Sequence, residues 1–217
     1  LLLPKFSEYF HKGQRREVLR LIREGIRRSA LVFYPVSMLC VVLADPLITL
    51  LFTDAYAASV PIFRVYVILL LFQVATFQIV FRATGNNTPY LKVTLLRIVL
   101  GLLLTIGMLK LFGAIGAAIA VVLTQAIVTL LTCVLAGREL NESWQHFVPW
   151  GDLGKTLALS VCLAVVVLPI TWLTAPKLVI LLLGGGVFSV AFVGLAFYMN
   201  RISDSDREIL ARWGALL

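Results

Sequence analysis

The chain has 217 residues, 60% of them hydrophobic and 14% charged, with a formal net charge of +8 and a mean hydropathy of +0.98. A water-soluble domain carries about 25% charged residues, so the composition excludes one and asks for a chain solvated largely by lipid. The basic excess would suit a nucleic acid only as a groove with interleaved aromatics outside the membrane; the Lys and Arg here punctuate apolar runs, and no nucleic-acid partner is expected.

The first residues, Leu1-Leu2-Leu3-Pro4, read as the end of a helix, with neither an initiator Met nor a signal-peptide pattern. The chain is expected to begin inside a larger protein. Residues 1–28 form a basic amphipathic arm: Arg16, Arg20, Arg23 and Arg27 recur at spacings of four, three and four, while Leu19, Ile22 and Ile26 line another face. Such an arm is expected to lie along the cytoplasmic leaflet, each charge near an anionic surface contributing about 1 kcal/mol.

Apolar runs of about 20 residues, the length that crosses a hydrocarbon core, recur roughly six times, over 29–44, 60–81, 90–112, 114–136, 154–173 and 178–199. None alternates with period two, so helices rather than a barrel must satisfy the backbone in lipid. The predicted fold is an all-α, polytopic membrane helical bundle of about six transmembrane helices. Its parts are the arm, a four-span core over 29–136, a loop over 137–153, a two-span hairpin over 154–199 and a tail over 200–217. Asp45-Pro46 ends the first run: Asp is expected to cap, and Pro to start, a short helix from Leu47 to Phe52.

Lys and Arg cluster in the arm, at Arg82 and Lys92, at Arg138 and Lys155, and in the tail at Arg201, Arg207 and Arg212; the alternate connections hold only Lys110 and Lys177. The positive-inside rule therefore puts the arm, the 137–153 loop and the tail in the cytoplasm. Asn86-Asn87-Thr88 and Asn141-Glu142-Ser143 match the glycosylation pattern but fall on that side, so neither is expected to be modified.

Polar side chains inside the runs are the candidate site. Thr94, Arg97, Gly101, Thr105 and Met108 share one helical face in the third run, which is expected to look into protein or water. A charge at a span's centre costs about 2.5 to 3.5 kcal/mol, so Arg97 either faces a ligand or snorkels to the cytoplasm. Arg64, at a shallower position, is expected to snorkel outward. Gln73, Thr76 and Gln78 place amides and a hydroxyl in the second run, where a lipid-facing amide would lack partners. In the fourth, Gly116, Ala120 and Thr124 form a small-residue seam beside Gln125, Thr129 and Thr132. These groups either pack between helices or line a hydrophilic cavity.

Other motifs carry less. Cys40, Cys133 and Cys162 lie singly without metal-ligand spacing, and His11 and His146 have no partner nearby in sequence. Gly151-Asp152-Leu153-Gly154-Lys155-Thr156 ends like a phosphate loop, but Pro149 stands where its first glycine belongs. No cofactor, metal or catalytic group is expected. Trp144 and Trp150 read as interfacial aromatics.

The order of Pro4-Lys5-Phe6-Ser7, Ala44-Asp45-Pro46-Leu47-Ile48, Leu51-Phe52, Tyr56, Pro61-Ile62-Phe63-Arg64, Ala83-Thr84-Gly85-Asn86, Pro89 and Leu111 to Ala118 resembles the second half of Wzx-type polysaccharide (O-antigen) flippases. These belong to the multidrug/oligosaccharidyl-lipid/polysaccharide flippase superfamily. The resemblance covers residues 1–136 and implies one lobe of a V-shaped, two-lobe transporter of the bacterial inner membrane, carrying a polyprenyl-pyrophosphate-linked oligosaccharide by alternating access. The implied partners are that lipid-linked substrate, membrane lipids, a missing N-terminal lobe and polysaccharide polymerase machinery. Arg97 and Arg64 are the implied headgroup residues, with Gln73, Thr76, Gln78, Thr94, Thr105 and Gln125 along the cavity. Within the superfamily the alternatives are a peptidoglycan-precursor flippase or a drug/cation antiporter. A non-transporting assembly subunit is the alternative from another class, and an enzyme would need a large loop carrying paired carboxylates.

Overall fold

A computed structural model describes residues 9, 12, 14–75 and 77–198, all of them in helices and their connections with no strand among the described residues. The chain is an all-α polytopic membrane bundle.

Helix α1, Arg15–Val42, runs unbroken from the basic arm through the first apolar run. Val18, Ile22, Ile26, Ala30 and Tyr34 stand four residues apart and are all buried. The arm's apolar face is thus covered by protein rather than by a leaflet: Ile22 and Ile26 share a core with Phe77, Phe81, Phe147 and Val148. Helix α2, Ala44–Phe52, begins earlier than expected. The Leu47 amide already donates to the Leu43 carbonyl at 2.9 Å, so Leu43 holds the cap position and Asp45 stands in the first turn. There its charge meets the positive end of the helix, and Pro46 is tolerated because first-turn amides have no intrahelical partner.

After a 3-10 turn, Asp54–Ser59, the second run departs from the single span expected over 60–81. It is divided into α3, Val60–Val67, α4, Leu69–Phe72, and α5, Gln78–Thr84. Val74 and Phe77, in the interruption, are buried in the core around Phe147, with the Phe77 and Phe147 rings edge to face at 5.8 Å. Tertiary packing overrides helical continuity there, as irregular backbone at membrane depth requires. Gly85, at φ 73°, closes α5 in the left-handed conformation that glycine adopts without strain.

Helix α6, Thr88–Glu139, has 52 residues, about 78 Å if straight, against a hydrocarbon core of about 30 Å. It is a hairpin. Gly113, at φ 63° and ψ −148°, turns the chain back, and a Cβ added at Gly101 in the first arm would lie 3.6 Å from the Thr124 side chain in the second. At the far end of the arms the Asn86 amide donates to the Glu139 carboxylate at 2.7 Å. Five helical stretches are long and apolar enough to cross a membrane; since α6 is one of them and folds back at Gly113, the expected sixth crossing is its second arm.

The short α7, Trp144–Phe147, leads into α8, Trp150–Val167, a 3-10 turn, Leu168–Trp172, and α9, Lys177–Tyr198. α8 and α9 meet through Leu163, Val167, Phe188 and Phe192. Of the triple glycine only Gly184 is closely packed: a Cβ there would come within 3.0 Å of Leu43, whereas one at Gly185 or Gly186 meets nothing. Two sets of polar contacts mark the ends of the bundle. Arg23 donates to the His146 carbonyl at the same end as the Asn86–Glu139 contact, and Lys177 pairs with Asp54 at the other.

Candidate functional site: a polar cleft against the hairpin

The hairpin sets two polar faces opposite each other. Thr94 and Arg97 lie one turn apart on the first arm, and Gln125, Thr129 and Thr132 occupy adjacent turns of the second. Gln78, the first residue of α5, completes a narrow cleft of about 30 Å³. Four residues singled out in three separate runs, Gln78, Thr94, Arg97 and Gln125, thereby come together.

The threonines are satisfied locally. Thr94 donates to the Tyr90 carbonyl at 2.9 Å and Thr132 to that of Val128 at 2.6 Å, so their oxygens remain available only as acceptors. The Gln125 amide donates to the Thr129 hydroxyl at 3.3 Å. Arg97 and Gln78 are different: both are exposed, and neither has a hydrogen bond or ion pair among the described residues. The cleft therefore offers one unneutralised guanidinium beside a free amide, a set of donors suited to phosphate oxygens and sugar hydroxyls.

The other candidates stand elsewhere. Arg64 donates through Nε to the Val41 carbonyl at 3.2 Å, fastening α3 to the C-terminal end of α1, where a cation also complements the helix dipole. Gln73 is exposed in the interrupted stretch and Thr105 half-buried; neither lines the cleft. Thr105 stands about 12 Å beyond Arg97 along the arm. Thr76 lies outside the described residues, as do His11, the Pro4 motif and the tail arginines. The buried seam of Gly116, Ala120 and Thr124 packs between helices, with Thr124 bonded to the Ala120 carbonyl at 2.7 Å. No group of three His, Cys, Asp or Glu that could hold a metal occurs among the described residues.

Sequence reasoning missed an apolar cavity of about 360 Å³ behind the cleft, which shares Ala75 and Thr129 with it and is walled by Tyr34, Phe72, Cys133 and Trp144. Trp144 and Trp150, expected only as interfacial anchors, meet edge to face at 5.7 Å at its rim. Hydropathy carries no signal for such a space, because lipid-facing and cavity-facing side chains are equally apolar.

The hairpin of this polytopic membrane bundle presents an uncompensated cation in a polar cleft, and the family that the sequence matches is one of transporters rather than enzymes. The model of the family described as Lipid II flippase MurJ matches residues 1–178, and the chain belongs to that family. This places it in the flippase superfamily that the motifs resemble, without supporting the O-antigen branch in particular. The family is one of bacterial inner-membrane proteins. No curated protein sequence matches the chain.

Proposed function

We propose that the chain is part of an alternating-access flippase for a polyprenyl-pyrophosphate-linked cell-wall precursor, with the peptidoglycan precursor as cargo in preference to an O-antigen unit. The family match supports the peptidoglycan reading, and the observation that carries the mechanism is the Arg97 guanidinium, unpartnered among the described residues in a cleft it shares with Gln78 and Gln125. Arg97 would hold a headgroup phosphate through charge-assisted bonds, and the two amides would meet sugar or peptide groups. For transport to be coupled, the cleft must bind the cargo differently in the two states of the lobes. The O-antigen reading rests on the motif order over residues 1–136; both cargoes present the same pyrophosphate, so the sugar separates them.

The test uses the full-length protein in cells that depend on it. Arg97→Ala should abolish precursor export at unchanged membrane level, and Arg97→Lys, which keeps charge but loses the bidentate fork, should restore it in part. Normal export by Arg97→Ala would return Arg97 to snorkelling. Loss of O-antigen surface display with intact peptidoglycan export would reverse the cargo assignment.

A further inference from the structure

Among the described residues the cleft has one aromatic wall, Tyr90. It stands at the outer end of a face that continues inward through Thr94 and Arg97: the three are at i, i+4 and i+7 of α6, which puts Arg97 about 10 Å deeper along the arm. Phe81 of α5, itself buried, stacks on the Tyr90 ring with centroids 6.1 Å apart and planes 22° from parallel. α5 runs in step with the arm, since Gln78, one turn deeper than Phe81, is the residue it contributes to the cleft. The Tyr90 ring is thus held from the α5 side, and being only half-buried it keeps surface open toward the cleft that it lines.

On the reading that Arg97 takes a headgroup phosphate, we infer that Tyr90 is the sugar-contacting residue of the same site: the pyranose attached to the pyrophosphate stacks on its ring. A cleft of about 30 Å³ has room for about two water molecules. Phosphate oxygens can enter such a space and a sugar ring cannot, so the sugar lies at the rim. A lipid-linked headgroup is ordered along the membrane normal as hydrocarbon, pyrophosphate and sugar, and the α6 face is ordered to match. Its guanidinium belongs to the deeper turn and its aromatic ring to the turn nearer the helix end. Helical side chains lean toward the N-terminus, so Arg97 leans toward Tyr90 and brings the phosphate toward the ring. A pyranose presents a face of C–H groups inside a rim of hydroxyls, which complements an aromatic face with a hydroxyl at its tip. Tyr has few side-chain torsions to lose, and the Phe81 stack restrains this one further, so docking a sugar there costs little entropy. Tyr90 therefore acts on the part of the headgroup in which the two candidate cargoes differ.

Full-length protein in nanodiscs would be titrated with polyprenyl pyrophosphate and with the same lipid carrying one pyranose sugar, and binding read by native mass spectrometry. The wild type should hold the sugar-bearing lipid about fivefold more tightly, the worth of one stacking contact, and Tyr90→Phe should keep that advantage. Tyr90→Leu and Tyr90→Met, which retain apolar volume at this half-buried position but remove the flat face, should lose it while binding the sugarless lipid as the wild type does. A merely structural role would weaken both lipids alike, and that result would overturn the assignment. So would an advantage that persists in Tyr90→Leu and Tyr90→Met, or its absence from the wild type. Arg97→Ala should weaken both lipids equally; if it weakens neither, the headgroup reading fails, and the sugar-dependent difference still decides the role of Tyr90.

Discussion

Gly113 and Gly116 allow α6 to be a hairpin rather than a rod. The φ and ψ of Gly113 lie in a region essentially closed to residues with a Cβ. Three residues on, a Cβ at Gly116 would overlap the Met108 carbonyl and stand 2.9 Å from the Phe112 Cβ, and backbone on the opposing arm cannot move aside cheaply. Gly116→Ala is therefore expected to destabilise the purified full-length protein by about 1 to 3 kcal/mol, while Gly107→Ala, where a Cβ meets nothing, should be neutral or slightly stabilising. Equal melting temperatures for the two would refute the close approach at Gly116. The sequence exposes this feature readily, because the apolar runs divide at Gly113 and the four-residue spacing of Gly116, Ala120 and Thr124 marks a close-packed face. It does not separate Arg97 from Arg64. Both are arginines inside apolar runs, and only folding shows that one guanidinium reaches the Val41 carbonyl while the other remains unpartnered among the described residues.

At the scale of elements, the helical period of α1 was legible and its surroundings were not. The spacing of arginines and isoleucines fits an amphipathic helix on a leaflet as well as one docked on protein, since each buries one face. Ile22 in fact packs in a core with Phe77, Phe81 and Phe147, residues far away in sequence. Ile22→Ala should then cost about 2 to 5 kcal/mol of stability in the full-length protein. Arg20→Ala should cost well under 1 kcal/mol, because its contact with Glu24 at 3.1 Å is solvent-exposed. Thermal unfolding checks both; an Ile22→Ala protein that melts like the wild type but binds anionic vesicles more weakly would restore the leaflet picture. The interruption between α4 and α5 was illegible for the related reason that hydropathy over 60–81 is continuous. Gln73 exposed beside buried Val74 is a consequence of the break, visible only once the core is assembled.

Over the whole molecule, the two ends differ in chemistry. One gathers α1's arginines with Arg82, Lys92, Arg138 and Lys155, and is closed by Arg23 on the His146 carbonyl and Asn86 on Glu139. The other is poor in cations and is tied by Lys177 to Asp54. Lys and Arg bias in short connections orients a bundle with its basic end toward the cytoplasm, which would present the near end of the Arg97 arm to the compartment where precursors are made. An odd number of crossings separates the 54–59 turn from α7: the α3–α4 stretch and the two arms of α6. In a full-length background lacking Cys40, Cys133 and Cys162, Ala57→Cys should react with a membrane-impermeant maleimide on intact cells, and Gln145→Cys only after permeabilisation. The reverse pattern would invert the bundle and with it the side on which the cleft loads. The same response from both sites would mean an even number of crossings between them, so that either α6 crosses once as a rod, which would part Arg97 from Gln125, or the α3–α4 stretch does not cross.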